Sequence, residues 1–365
     1  MPEELGPVLA TPGASQHNFA QPSARFGASD DVIPVVILNW NGENDTIECL
    51  LSIKESVPSG FVPVVVDNGS KRESLEKLKV ECVRIFSKVL FLKSSEIYAS
   101  RKLRPAELRA LLDSHSLIFV ESAENLGFAK GNNVGTRFAQ IIGAEWVMYL
   151  NNDTVISVDT FWKLREFRDT HPIFLAITPE IREYERPTRI LNCGGDLTYF
   201  GRHRYNLLGR DASEVRGAKF FEITFITGCA LLFNYESTGL LTEDFFFGEE
   251  DYEFSLRMKE KRLKMACNRE AVVRHKLGTT IKKSSQLGRI MVYCANRLIN
   301  TRNYYSKARW NATRLLMYLY LPLLFAKSGI DPRRSISAIR QIHSFIARHD
   351  RVTQDEFLTL VTSKH

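Results

Sequence analysis

The residues of this chain best able to do chemistry sit in short polar clusters. Three of them, Asn39-Trp40-Asn41-Gly42, Asp67-Asn68-Gly69-Ser70 and Asn151-Asn152-Asp153, each follow an apolar run directly. Any one alone reads equally well as an ordinary turn, because Asn, Asp and Gly are turn formers. Together they could enclose one pocket that binds a polar ligand. A fourth cluster, Glu249-Glu250-Asp251, crowds three carboxylates. Crowded carboxylates raise one another's pKa, although an acidic run also suits a helix start by complementing its dipole. A phosphate-cradling loop is missing: neither Gly-x-Gly-x-x-Gly nor Gly-x-x-x-x-Gly-Lys-Ser/Thr occurs, and Gly127-Phe128-Ala129-Lys130-Gly131 has the wrong spacing for both. A pocket that must hold a diphosphate here needs another counter-charge. A divalent cation on carboxylate and imidazole would serve.

The elements that must position these clusters are legible in the apolar pattern. Residues 32–39 (VIPVVILN), 61–66 and 145–150 (EWVMYL) are buried-strand runs, and 43–57 and 127–142 have helical spacing. Strand alternating with helix predicts an α/β fold with a mostly parallel sheet flanked by helices. In such sheets ligands bind beyond the carboxyl ends of the strands, which is where the clusters fall. Residues 70–116 are less decisive: a helix near 73–81, a strand near 89–93 and a helix near 105–113 are expected, with another strand at 117–120. Short strands and loops follow over 174–178 and 190–233, then a charged helix at 249–261 and two short strands within 264–275. From 286 onward the pattern is helical.

Composition excludes more than it identifies. The 365 residues, 44% hydrophobic and 25% charged, are those of an ordinary globular protein. The cysteines Cys49, Cys82, Cys193, Cys229, Cys267 and Cys294 form no Cys-x-x-Cys pair, which argues for buried free thiols in a reducing compartment and against a zinc ribbon or disulfide framework. Residues 1–30 lack a basic segment before an apolar run, so no secretory signal is read there and a flexible polar tail is expected. Between residues 282 and 350 thirteen Lys/Arg stand against two Asp, although the whole chain carries only +7. A basic end of this kind suits an anionic surface. It has neither zinc-ligand spacing nor an RNA-binding aromatic signature, so no nucleic-acid partner is expected.

Five blocks now occur in a telling order: Asn39-Trp40-Asn41-Gly42, Val65-Val66-Asp67-Asn68-Gly69-Ser70, Asn125-Leu126-Gly127-Phe128-Ala129-Lys130-Gly131-Asn132-Asn133, Tyr149-Leu150-Asn151-Asn152-Asp153 and Gly248-Glu249-Glu250-Asp251-Tyr252-Glu253-Phe254-Ser255-Leu256-Arg257. Over roughly residues 32–310 the chain resembles the family 2 inverting glycosyltransferases, and among them the rhamnosyltransferase-like branch. The resemblance implies a GT-A fold, a Rossmann-like nucleotide-diphospho-sugar transferase architecture. It places Asn39, Trp40, Asn41, Asp67 and Asn68 at the nucleobase, and Asn125, Gly127, Lys130 and Asn132 along the nucleotide or its sugar. Asn151, Asn152 and Asp153 match the family's Asp-x-Asp motif with asparagine at its first two positions. That leaves Asp153 as the one carboxylate on the metal, Mn2+ or Mg2+, and His275, which precedes Lys276-Leu277-Gly278-Thr279-Thr280, as the second ligand. Asp251 takes the place of the catalytic base with Glu250 as runner-up, and Gly228 and Cys229 match a position near the acceptor.

The expected reaction moves rhamnose or a similar sugar from a donor such as dTDP-rhamnose or a UDP-sugar to a saccharide or lipid-linked saccharide in cell-surface polysaccharide synthesis. The expected organisation is a tail over 1–30, a GT-A domain over 31–285 and a basic helical region over 286–365. In that region the apolar run 315–326 is twelve residues long, shorter than the ~20 of a membrane span. Pro322 is expected to interrupt any long helix there. With Lys/Arg on both flanks and Trp310, Tyr318 and Tyr320 within or beside it, the run suits an interfacial helix on anionic lipid, hence a peripheral protein at the cytoplasmic face; a core or homodimer helix is the alternative. Two other classes stay open, a nucleotidyltransferase, which would need a glycine-rich basic loop after the first strand, and a non-catalytic carbohydrate- or partner-binding relative.

Overall fold

The computed structural model of the protein describes residues 32–56, 60–99, 104–113, 115–276 and 285–362. The expected tail over 1–30 and residues 277–280 after His275 lie outside the described residues. The elements are β1 (Ile33–Asn39), α1 (Glu43–Lys54), β2 (Phe61–Asn68), α2 (Arg72–Ile85), β3 (Lys88–Lys93), α3 (Ser94–Ala99), α4 (Pro105–Leu111), β4 (Ser116–Ser122), α5 (Phe128–Ile141), β5 (Trp146–Leu150), β6 (Thr154–Ile156), α6 (Thr160–Thr170) and β7 (Phe174–Glu183). They continue as β8 (Ile190–Asn192), β9 (Gly195–Leu197), β10 (His203–Tyr205), β11 (Phe220–Ile223), β12 (Ala230–Asn234), α7 (Tyr235–Thr238), α8 (Glu250–Glu260) and β13 (Lys264–His275). Helices α9 (Gln286–Tyr304), α10 (Lys307–Lys327), α11 (Pro332–Arg348) and α12 (Gln354–Thr362) complete the chain.

The main sheet has the order β11-β13-β7-β12-β5-β1-β2-β4-β3. From β5 to β3 it is parallel, the arrangement expected of strands joined by helical crossovers. Beyond β5 it is mixed: β12 runs antiparallel to both β5 and β7, whereas β13 runs parallel to β7. The β-branched runs explain why the strands are buried on both faces. On β1, Ile33, Val35 and Ile37 pack with Cys49, Leu50 and Ile53 of α1 and with Leu78 and Cys82 of α2. Val36 turns the other way, into a layer with Val134 and Phe138 of α5 and Phe254 and Met258 of α8. Period-two alternation thus divides one strand between two cores.

Residues 70–116 hold α2, β3, α3 and α4, so the expected strand and both helices are present, with α3 added. The stretch 264–275 is one bulged strand of twelve residues in place of two short ones. Pro322 does not break α10, which runs through it for 21 residues. It lies on the exposed side of that helix, where water can take the carbonyl bond its missing N–H forgoes. Helices α9 to α12 share a core of their own, including Met291, Leu298, Leu321, Phe325, Ile342 and Val352. Among the described residues no helix is long and apolar enough to cross a membrane.

Candidate active site

The register of the parallel strands brings the polar clusters to one edge. Asn39 at the end of β1 lies opposite Asp67 near the end of β2, and Asp67 lies opposite Glu121 on β4. Asn39 donates to the Asp67 carboxylate at 2.7 Å and accepts from the Thr46 hydroxyl at 2.9 Å. Asp67 also accepts from the Ser70 backbone N–H at 3.0 Å. The Ser70 hydroxyl meets the Asn41 N–H at 2.9 Å, and Asn152 donates to Thr46 at 3.0 Å. Asn39 and Asp67 are fully buried, with their polar atoms spent on one another and on the loop. They fix the loop, while Trp40 and Asn41 are the exposed members of the cluster. Asn41 adopts φ +51°, a left-handed turn that asparagine tolerates.

Asn68 clamps the next loop. Its amide donates to Asn125 at 2.9 Å and to the Gly127 carbonyl at 3.1 Å, and its oxygen accepts from the Leu126 N–H at 2.9 Å. Gly127 has φ +82°, and a β-carbon there would lie 2.3 Å from the Phe246 carbonyl oxygen, so backbone approach demands glycine. That oxygen instead accepts from the Phe128 N–H at 3.0 Å, joining the start of α5 to the loop before the acidic cluster. Asn132 is buried and bonds the Phe128 carbonyl within its own helix, whereas Lys130 is exposed.

Asp153 and His275 are brought together. They are 122 positions apart in the sequence, yet the antiparallel pairing of β6 with β13 sets His275 opposite Thr154. The imidazole Nε2 and the Asp153 carboxylate are 3.0 Å apart, with side chains 17% and 11% exposed. Burial would lower the imidazole pKa, but the Cys229 and Asp153 side chains outweigh it and raise it to about 11, so the ring pairs with Asp153 as a cation and a metal bound here would have to displace its proton. Among the described residues no group of three or more His, Cys, Asp or Glu side chains could hold a metal ion. A cation here would therefore take two protein ligands, one carboxylate and one imidazole, and leave most of its shell to a ligand's phosphates and water.

The acidic cluster opens α8 and adjoins this pair through residues 227–229. The Gly228 N–H donates to the Asp251 carboxylate at 3.3 Å, and the next residue, Cys229, stands beside His275. Asn151 anchors the same strand by donating its N–H to the Cys229 carbonyl at 2.8 Å. Asp251, Gly228, Cys229, His275 and Asp153 thus form a continuous wall. Burial and the nearby Glu249 carboxylate raise Asp251 to about 6. Burial and Asp251 raise Glu250 to about 8, and one of its carboxyl oxygens has no hydrogen-bond partner among the described residues. A half-buried carboxyl that ionises near neutrality is suited to take a proton.

Three residues of α9 complete the cluster and were not anticipated. Glu249 caps α8 in the left-handed conformation at φ +72°. Arg297, buried to 1% exposure, closes on its carboxylate through both Nε and Nη2, and stacks on the Tyr252 ring at 3.5 Å. Asn300 donates to the Glu249 carbonyl at 3.0 Å and Asn296 to the Gly248 carbonyl at 2.8 Å. The available signal was a polar patch, Asn296, Arg297 and Asn300, on the side of α9 opposite Met291 and Leu298. The partner they implied lay 48 residues upstream, which no local pattern reveals.

The architecture is a GT-A fold, with C-terminal helices. No family model matches the chain, and no curated protein is similar to it in sequence. Its likeness to solved structures is one of fold. GalNAc-T7, solved with UDP, GalNAc and Mn2+, superposes with a TM-score of 0.54 at 13% identity, over 88% of this chain. This chain spans only 57% of the length of that protein. The mannosyltransferase PcManGT from Pyrobaculum calidifontis, in complex with GDP-Man and Mn2+, gives 0.50 at 14% identity, over 93% of this chain and 88% of its own.

Proposed function

We propose that the protein is an inverting glycosyltransferase working on a nucleoside diphosphate sugar, and that its donor lies along the Asn39, Asp67 and Asn151 edge. The observation that carries this reading is the meeting of Asp153 with His275 at 3.0 Å, beside the Gly228–Cys229 segment whose N–H bonds Asp251. A carboxylate and an imidazole freed of its proton, together at the rim of the sheet, would hold a divalent cation, Mn2+ or Mg2+, and leave positions open to the donor phosphates. When bound, such a cation supplies charge stabilisation to the departing diphosphate.

The chain's own residues account for the rest. Trp40 and Asn41 are exposed where a base would lie, and the Asn39–Asp67 and Asn68–Asn125 pairs hold the loops that frame it. Asp251 takes the proton of an acceptor hydroxyl as its oxygen attacks the anomeric carbon. The bond from that carbon to the diphosphate breaks, and the nucleoside diphosphate leaves with the electron pair. Attack opposite the leaving group inverts the centre. Gly228 offers backbone without a side chain on the acceptor side. The motif resemblance favours a deoxysugar donor such as dTDP-rhamnose over UDP-hexoses, and a saccharide or lipid-linked saccharide acceptor.

The test is a donor panel. Each nucleotide sugar is assayed for binding and slow hydrolysis, with Mn2+ and with EDTA. Cleavage of one donor that stops in EDTA, and in Asp153→Asn and His275→Ala, supports the proposal. Cleavage indifferent to both substitutions overturns the metal assignment, and absence of any donor binding overturns the function.

A further inference from the structure

The side of the helical region formed by α10 and α11 is built for something the reaction does not use. Between these helices lies a cleft of about 500 Å³ bearing Arg314, Arg340, His343, Tyr318 and Asn311, and none of its lining side chains is acidic. Arg314 lies over the Trp310 ring at 4.5 Å and donates to Asn311 at 3.3 Å; the Tyr318 hydroxyl meets His343 Nδ1 at 3.3 Å. From Lys307 to Arg348 eight Lys/Arg accompany a single acid, Asp331.

Beside the cleft, α10 leaves a stripe of large apolar side chains in solvent. Leu315, Leu319 and Leu323, spaced by four and so on one face, are 60%, 64% and 68% exposed. Leu316 and Tyr320 widen the stripe. Arg202 stacks on Tyr320, and Arg309 donates to the Tyr199 carbonyl, so the neighbouring loop adds Tyr199 and Phe200 to the same exposed face.

We propose that this face docks on an anionic phospholipid surface, with Arg314, Arg340 and His343 taking a lipid phosphate into the cleft while the α10 leucines enter the acyl boundary. The charge decides the occupant. A second copy of the chain meeting this face about a twofold axis would offer the cleft arginines no acidic partner, since none lines it, whereas lipid phosphates neutralise them. Free phosphate would satisfy the arginines but leave the leucines in water. A helix that leaves leucines in solvent beside arginines, with an apolar run too short and too interrupted by charge to span, satisfies both demands only at a headgroup interface.

The experiment is flotation of the full chain with vesicles of phosphatidylcholine alone and of phosphatidylcholine with phosphatidylglycerol, at low and high salt, without donor or metal. The readout is therefore separate from the catalytic reading. Capture by the anionic vesicles, weakened by salt, is expected. It should fall about tenfold or more in R314Q/R340Q, as loss of two cationic contacts implies, and again in L319S/L323S, with thermal unfolding unchanged. The leucine pair carries the same test if the arginine pair does not fold. Equal capture by both vesicle types, or no loss in either variant, overturns the proposal. So does binding of inorganic phosphate abolished by R314Q/R340Q without vesicle capture, which would mark a free-anion site. Self-association lost in L319S/L323S without vesicle capture would assign the face to a second copy and overturn it as well.

Discussion

Arg297 and Glu249 form a buried ion pair that ties the first of the C-terminal helices to the residue preceding the acidic helix. The Nη2–Oε1 bond is 2.9 Å, and Nη1 of the same guanidinium donates to the Gly201 carbonyl at 2.6 Å. Arg297→Met would leave the Glu249 charge uncompensated in a dry site, and such a loss costs about 3–5 kcal/mol. Urea unfolding should show it. Arg297→Lys keeps the charge without the fork and should fall between the parent and Met. Equal stability of the Met variant would show that the pair is dispensable.

Asp251→Asn should bind the nucleotide sugar as the parent does and lose transfer by about 10²–10⁴-fold, the range for removing a general base. Titration calorimetry and acceptor-dependent nucleotide release measure the two quantities. Turnover at the parent's rate would pass the role to Glu250.

The pH dependence follows from the surroundings of Asp251. Burial and Glu249 raise it to about 6, with Arg297 opposing them, so it is a base only above that value. The acceptor-dependent kcat/KM should fall as pH drops through about 6, with the limb absent in Asp251→Asn.

Glu250 makes a stability prediction of its own. Its carboxyl is raised from 4.5 to about 8 in the folded chain, so the fold accepts the protonated form and loses stability as pH climbs from 4.5 through 8. Glu250→Gln should raise the melting temperature above pH 8 and leave it unchanged near pH 4. A gain of the same size at both ends would trace the effect to packing instead of charge.

Gly127→Ala tests the junction between the donor-side loop and the acidic loop. A β-carbon at φ +82° against the Phe246 carbonyl should cost about 1–3 kcal/mol in chemical unfolding. A neutral substitution would mean that the two loops separate freely.

Much of the framework was legible because each strand near the site is a dense β-branched run closed by polar turn residues. Val32–Asn39 is of that kind, and so is the run ending at Leu150; both chemistry and architecture are local there. Further along, signals were long-range. β13 is continuous because it pairs with β7, β11 and β6 at once, partners that no local pattern reveals. Pro322 stays within a helix because tertiary packing of Leu321 and Phe325 holds the turns on either side. Asp153 and His275 are legible only through motif resemblance; their proximity depends on strand pairing, which the residues themselves do not announce.

The position of Arg297 bears on how the chain can be divided. A cut before α9 would look harmless on a map of elements, since the sheet and its edge would be intact. It would nevertheless strip Glu249 of its only counter-ion among the described residues, and Gly248 and Glu249 of the amides that hold their carbonyls. The fragment would keep every acid and lose their arrangement. An isolated sheet domain is therefore the wrong unit for activity assays, and inactivity in such a fragment would say nothing against the chemistry.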